Sequence, residues 1–119
     1  LAPELRGFVA NGIGTNAAAV PVATELGLVV ANVPDYCQDE VASHTLSLIL
    51  ACQRNLKGLI QWIDGGNWGG GYKQIEGRKR FAGSKVGLFG FGRIPRRVAE
   101  MLAGFEVEIL AYDPYKEIS

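Results

Sequence analysis

Lys85-Val86-Gly87-Leu88-Phe89-Gly90-Phe91-Gly92-Arg93-Ile94-Pro95-Arg96-Arg97-Val98-Ala99-Glu100-Met101-Leu102-Ala103-Gly104-Phe105-Glu106-Val107-Glu108-Ile109-Leu110-Ala111-Tyr112-Asp113 is the stretch on which the fold turns. Its first five residues form a short apolar run. Gly90-Phe91-Gly92-Arg93-Ile94 is a glycine turn that opens a helix. The helix runs through Val98, Met101 and Leu102 and stops near Gly104. Glu106 to Tyr112 reads as a second strand, with Asp113 at its end. Strand, glycine turn, helix, strand and acid is the order in which a βαβ unit holds a dinucleotide.

The residue types follow from the chemistry of a pyrophosphate. It is anionic and takes backbone N–H donors at short range. The first turn of a helix leaves such donors without helical partners, and the helix dipole adds about half a positive charge there. Gly90 permits a sharp turn after the strand, and Gly92, lacking Cβ, lets phosphate approach the main chain. Asp113 follows the turn at the spacing of a carboxylate that accepts from a ribose 2′-OH. That carboxylate repels a 2′-phosphate, so NAD is expected over NADP. No arginine follows Asp113 closely, and Lys116 is the nearest cation beyond it. The third glycine of the fingerprint is replaced by Pro95. Proline is tolerated in a first helical turn, where its missing N–H has no helical partner. Glycine at that position favours close helix–strand packing, so Pro95→Gly is expected to tighten NAD binding.

Working outward, the 119 residues allow one domain of ordinary size with a real apolar core. Twelve basic residues balance twelve acidic ones, which argues against a nucleic-acid surface. Arg78-Lys79-Arg80 and the pair Arg96-Arg97 read as solvated faces. Cys37 and Cys52 make no disulfide framework and no metal spacing. No apolar run has the length of a membrane span, and no signal peptide is recognisable, so a soluble cytoplasmic protein is expected.

Gly7-Phe8-Val9-Ala10 is a strand candidate ending in Asn11-Gly12-Ile13-Gly14-Thr15-Asn16. A short helix over Ala19–Leu26, with Pro21 in its first turn and Gly27 closing it, leads to the strand Leu28–Val33. β-Branched content and the bounding Gly27 and Pro34 predict that strand to be parallel and buried. Asp39 is a plausible N-cap for a helix to about Arg54, apolar almost all round and therefore expected to be buried. A further helix is predicted over Leu56–Asp64, ended by Gly65-Gly66. Asn67–Glu76 reads as a long glycine-rich loop, mobile or an interaction surface. The chain is thus α/β, with Rossmann-like parallel βαβ units.

Taken together, Gly12–Asn16, Leu28–Pro34, Asp39–Leu46, Gly65–Trp68, Gly90–Ile94 and Ala111–Pro114 resemble, in order and spacing, the D-isomer-specific 2-hydroxyacid dehydrogenases. The 3-phosphoglycerate dehydrogenase branch is the most similar. The resemblance covers essentially all of the chain. It implies the end of a substrate domain at residues 1–35, crossover helices and a loop at 36–80, and the start of an NAD-binding Rossmann domain from 81 to 119. It implies that Gly12, Ile13 and Gly14 form a loop whose main-chain N–H groups hold the substrate carboxylate, a task suited to a glycine-rich turn. It also implies cofactor binding by Gly90, Gly92, Arg93, Ile94 and Asp113.

The same resemblance places the family's catalytic arginine, glutamate and histidine beyond the second nucleotide-domain strand, so no catalytic residue is assigned here. His44, the only histidine, reads as structural or interfacial. Thr45 is a helix-face residue or a cofactor neighbour, Asn16 an orienter of the carboxylate loop or a turn-former, and Glu40 a helix-start decoration. Trp62 and Trp68 read as packing or interface residues. Ala10, Ala17-Ala18-Ala19 and Glu106 depart from the family's usual residues, the last replacing a glycine after the helix.

The resemblance implies part of an NAD-dependent oxidoreductase acting on a 2-hydroxy or 2-oxo acid, a homodimer, inactive as this chain alone. Neither nucleic acid, membrane nor metal is an expected partner. A non-catalytic NAD(H)-sensing protein, like the transcriptional co-repressors that share this fold, is the alternative.

Overall fold

Short apolar runs alternate with helical stretches, and the chain pairs its strands accordingly. The computed structural model describes residues 4–115 and 117, so Lys116 lies outside the described residues. The chain divides into two compact units, Leu1–Cys37 and Gln38–Ser119.

The first unit is β1 (Gly7–Val9), α1 (Val20–Glu25) and β2 (Val29–Ala31). The strands pair in parallel, Gly7 opposite Val29 and Val9 opposite Ala31. Gly7 matters for this approach, because a Cβ there would lie 2.5 Å from the Val29 carbonyl oxygen. Pro21 sits in the first turn of α1, as expected. The helix closes with Gly27 at φ +68°, its N–H donating to Thr24 O at 3.0 Å, while Leu28 N–H reaches Ala23 O at 2.8 Å. This paired closure satisfies two terminal carbonyls that would otherwise lack partners. Here β2 is shorter than the predicted Leu28–Val33 and is not buried, since Val29 is 69% exposed. Asn32 and Val33 leave the ladder to donate to Ile13 O and Gly12 O instead.

The second unit holds α2 (Gln38–Gln53), α3 (Leu56–Asp64), a 3-10 turn (Gly71–Ile75), β3 (Lys85–Phe89), α4 (Arg93–Leu102), a 3-10 turn (Ala103–Phe105) and β4 (Glu108–Tyr112). β3 and β4 are parallel over five residues each, Lys85 opposite Glu108 and Phe89 opposite Tyr112. Alternation along both strands turns Val86, Leu88 and Ile109 toward α4 and leaves Phe89 and Leu110 exposed on the other face. The core forms where α2 packs on α4. Ala42, Val98 and Leu102 are sealed there, with Leu46, Ile49, Phe81 and Phe105 around them. Ala42 is small enough to bring the two helices close. Arg97 adds a tie, its Nε donating to Asp39 Oδ1 at 2.6 Å and its Nη1 to Glu100 Oε2 at 2.8 Å.

Three expectations are corrected here. The predicted all-round burial of α2 fails: Ala42, Leu46 and Ile49 face the core, while Val41 and Leu48 are exposed. One helix and a two-stranded sheet can cover only one stripe of a helix. β4 begins at Glu108 rather than Glu106, because Glu106 takes a left-handed conformation with φ 56° where the chain reverses. The segment 67–76 is pinned rather than loose. Trp62 Nε1–H donates to Gly69 O at 3.1 Å, Asn55 Nδ2 donates to Gln74 O at 2.7 Å, and Gly71–Ile75 winds into a 3-10 turn. Trp62 is thereby half-buried as a packing residue, whereas Trp68 is 95% exposed.

Candidate functional site

Two glycine-bearing sites stand out, one in each unit. In the second unit the strand β3 ends at Phe89, and Gly90 takes φ +87°, a conformation that favours glycine. Gly90 N–H continues the ladder to Tyr112 O at 2.7 Å. Gly92 is the N-cap of α4 in an extended conformation. A Cβ on Gly90 or Gly92 would meet nothing within 4 Å, so this face of the turn is open to an incoming group.

The helical ladder of α4 starts with Arg96 N–H donating to Gly92 O at 3.2 Å. The amides of Arg93 and Ile94 therefore stand ahead of the ladder, at the positive end of the helix dipole. Pro95 is the third residue of α4, before the first ladder donor, and the helix continues past it to Leu102. Asp113, just past β4, reaches back to this turn. Its Oδ2 accepts Phe91 N–H at 2.7 Å and its Oδ1 accepts Tyr115 N–H at 2.9 Å. Backbone bonds of this kind orient the carboxylate.

Arg96 is exposed, as a solvated face requires, and its guanidinium also lies 5.3 Å from the Phe91 ring centroid while its Nε donates to Phe91 O at 3.2 Å. Phe91 is thus held by its N–H, its carbonyl and its ring, which fixes the turn between the two glycines. The contact is local, five residues along the chain, and forms as the turn opens into α4. Arg97 is likewise exposed, and it is also ion-paired. Hydrogen bonds to Glu100 and Asp39 raise its pKa above the ordinary guanidinium value.

The first unit carries Gly12-Ile13-Gly14 after β1. Gly12 O accepts Val33 N–H at 3.0 Å, and Ile13 O accepts Asn32 Nδ2 at 2.8 Å. Of the two readings of Asn16, loop orienter or turn-former, its place in a turn fits the second, and among the described residues the side chain that hydrogen-bonds to the loop is that of Asn32. Nothing in the composition singles out Asn32. Its position, three residues past the start of β2, becomes meaningful only once β1 and β2 pair.

The remaining candidates take ordinary places. His44 is exposed on α2, and Thr45 Oγ1 donates to Val41 O at 2.8 Å within its own helix. Glu40 is exposed in the first turn of α2. A groove of about 590 Å³ runs between α2 and β3, lined by Leu48, Ile49, Phe81 and Val86 among others, and it contains none of the glycine-turn residues. Among the described residues no cluster of His, Cys, Asp or Glu could hold a metal ion, and no helix is long and apolar enough to cross a membrane.

Comparison with known proteins agrees with this geometry. The sequence profile described as D-isomer specific 2-hydroxyacid dehydrogenase, NAD binding domain, matches residues 46–119. A D-3-phosphoglycerate dehydrogenase of Methanocaldococcus jannaschii is 34% identical, over 99% of this chain and 22% of that protein. Among solved structures, a putative D-isomer specific 2-hydroxyacid dehydrogenase, NAD-binding, from Polaromonas sp. JS6 66 superposes with a TM-score of 0.86 at 28% identity, covering 100% of this chain and 37% of that one. The D-lactate dehydrogenase from Aquifex aeolicus, complexed with NAD and lactic acid, gives 0.80 at 27% identity, covering 97% and 34%. The chain therefore spans between about a fifth and two fifths of the length of these relatives.

Proposed function

This chain belongs to the D-isomer specific 2-hydroxyacid dehydrogenase family, and from that premise we propose that it forms part of an NAD-dependent oxidoreductase that moves hydride between NAD and a 2-hydroxy acid. The observation that carries the reading is the Asp113 carboxylate held on Phe91 N–H at 2.7 Å. That carboxylate, close to the mouth of α4, supports the reading of Asp113 as the ribose acceptor beside amides that would meet a diphosphate.

The residues present fit NAD. The open faces of Gly90 and Gly92 leave room for the diphosphate, Arg93 and Ile94 offer main-chain N–H groups at the positive helix end, and Asp113 accepts from the adenosine ribose. When bound, the nicotinamide supplies the hydride acceptor and donor. In the first unit, Gly12, Ile13 and Gly14 hold the substrate carboxylate through main-chain amides. The Methanocaldococcus jannaschii relative is named for D-3-phosphoglycerate, which makes a phosphorylated 2-hydroxy acid the first candidate substrate. Exposed apolar residues such as Phe89 and Trp68 suit association into a homodimer, and the free Cys37 and Cys52 suit a reducing cytoplasm.

The test uses the protein expressed from its complete reading frame. NADH fluorescence should report saturable binding, and a panel of 2-oxo acids should oxidise NADH. Asp113→Ala should weaken NADH about tenfold or more, on the order of 2 kcal/mol for a charge-assisted hydrogen-bond partner. Wild-type protein that shows no saturable NADH signal would sink the reading.

A further inference from the structure

The loop Gly12-Ile13-Gly14 is held by two hydrogen bonds whose common effect is directional. Gly12 O is drawn toward Val33 N–H at 3.0 Å, and Ile13 O toward Asn32 Nδ2 at 2.8 Å. Both acceptors are carbonyls of successive peptide units, and no cis peptide bond occurs among the described residues. In a planar trans peptide the N–H points away from its carbonyl. Fixing Gly12 O therefore turns Ile13 N–H outward, and fixing Ile13 O turns Gly14 N–H outward.

Neither of these two amides has an acceptor among the described residues. A Cβ on Gly12 or Gly14 would meet nothing within 4 Å, so the loop is open on its free side. The lower anchor of the loop is fixed as well: Ala10 N–H donates to Ala31 O at 2.8 Å, and Gly12 N–H to Ala10 O at 2.9 Å. Of these four bonds three are main chain to main chain and are insensitive to side-chain identity. The bond from Asn32 is the one that a substitution can remove.

We propose that Asn32 is a positioning residue: its side-chain amide, by holding Ile13 O, sets the direction of the Gly14 N–H that receives one oxygen of the substrate carboxylate. The proposal rests on the carboxylate-loop reading given above. Asn32 itself touches no substrate. Its loss frees the Ile13–Gly14 peptide to rotate, and an outward donor pair becomes a single donor.

The experiment compares wild type, Asn32→Ala and Asn32→Asp in the protein expressed from its complete reading frame. Asn32→Asp keeps the shape, removes the donor and sets a carboxylate against Ile13 O, so it tests the bond even where the alanine variant folds poorly. With NADH saturating, kcat/KM for the 2-oxo acid should fall about tenfold in Asn32→Ala, mostly through KM, the size expected for one lost hydrogen bond. Asn32→Asp should fall further, and the NADH dissociation constant should stay within about twofold in both variants, since the dinucleotide turn lies in the other unit. Oxalate binding to the NADH-saturated protein, measured by calorimetry, provides a readout without turnover.

A KM for the 2-oxo acid and an oxalate affinity both unchanged in Asn32→Asp would overturn the proposal while leaving the dehydrogenase reading intact. Oxalate binding that weakens in the variants of a wild type without turnover would support Asn32 and remove the enzymatic reading. Wild type that neither binds oxalate nor turns over would overturn both.

Discussion

The chain builds the same strand–helix–strand device twice and stabilises the two copies differently. In Gly7–Ala31 the strands are three residues long, the helix is six, and Ala23 is its buried residue. In Lys85–Tyr112 the strands are five residues, the helix is ten, and Val98 and Leu102 are sealed under α2. The first copy is held by backbone closure: a glycine that lets the strands meet and a helix end satisfied by Gly27 and Leu28. The second is held by apolar burial. In the proposed function each copy also presents amides to an anion, by different means. The long helix offers its own N-terminus, whereas the short one contributes little, and the first copy instead turns loop amides outward by tethering their carbonyls.

The comparison breaks most readily at Leu102. Leu102→Ala should cost about 3 kcal/mol through lost burial and a residual cavity, read as a lower urea midpoint. A loss under about 1 kcal/mol would mean that burial is not what separates the two copies. Gly7→Ala attacks the other copy, since the new Cβ would press on the Val29 carbonyl. It should cost about 2 kcal/mol by overpacking, and hydrogen exchange at β1 and β2 should accelerate with little change at β3 and β4. Uniform acceleration across both sheets would contradict the division into two units.

A smaller gain is expected at the reversal before β4. Glu106 holds φ 56° without the freedom of glycine, so Glu106→Gly should raise stability by about 1 kcal/mol in the same denaturation experiment. A loss would show that the glutamate side chain contributes more than its backbone costs. The smallest effect belongs to Pro95→Gly. α4 forms intact around the proline, so the expected tightening of NADH is only a few-fold, under about 1 kcal/mol. Unchanged affinity would show that the proline costs the dinucleotide turn nothing.

Much of this was readable before any coordinates. Local signals acted locally: Gly90 and Gly92 made a turn, Gly27 ended a helix, and Leu56–Asp64 lies within its predicted bounds. Expectations of burial fared worse, because burial depends on what covers a face. Val29 and Leu48 are apolar and exposed, and no pattern along the chain says which stripe of α2 meets α4. The segment 67–76 misled for a related reason. Its glycines suggested freedom, but the side chains of Trp62 and Asn55, which lie outside the segment, pin it.

Spacing along the chain was enough to establish the parallel βαβ order, the helix mouth at Gly92 and the candidacy of Asp113, because each follows from backbone freedom and from residues near one another. Three-dimensional pairing was needed to bring Asp113 onto Phe91 and to carry Asn32 to Ile13. A hydrogen bond between residues nineteen or twenty-two positions apart exists only after parallel strands have set their ends side by side.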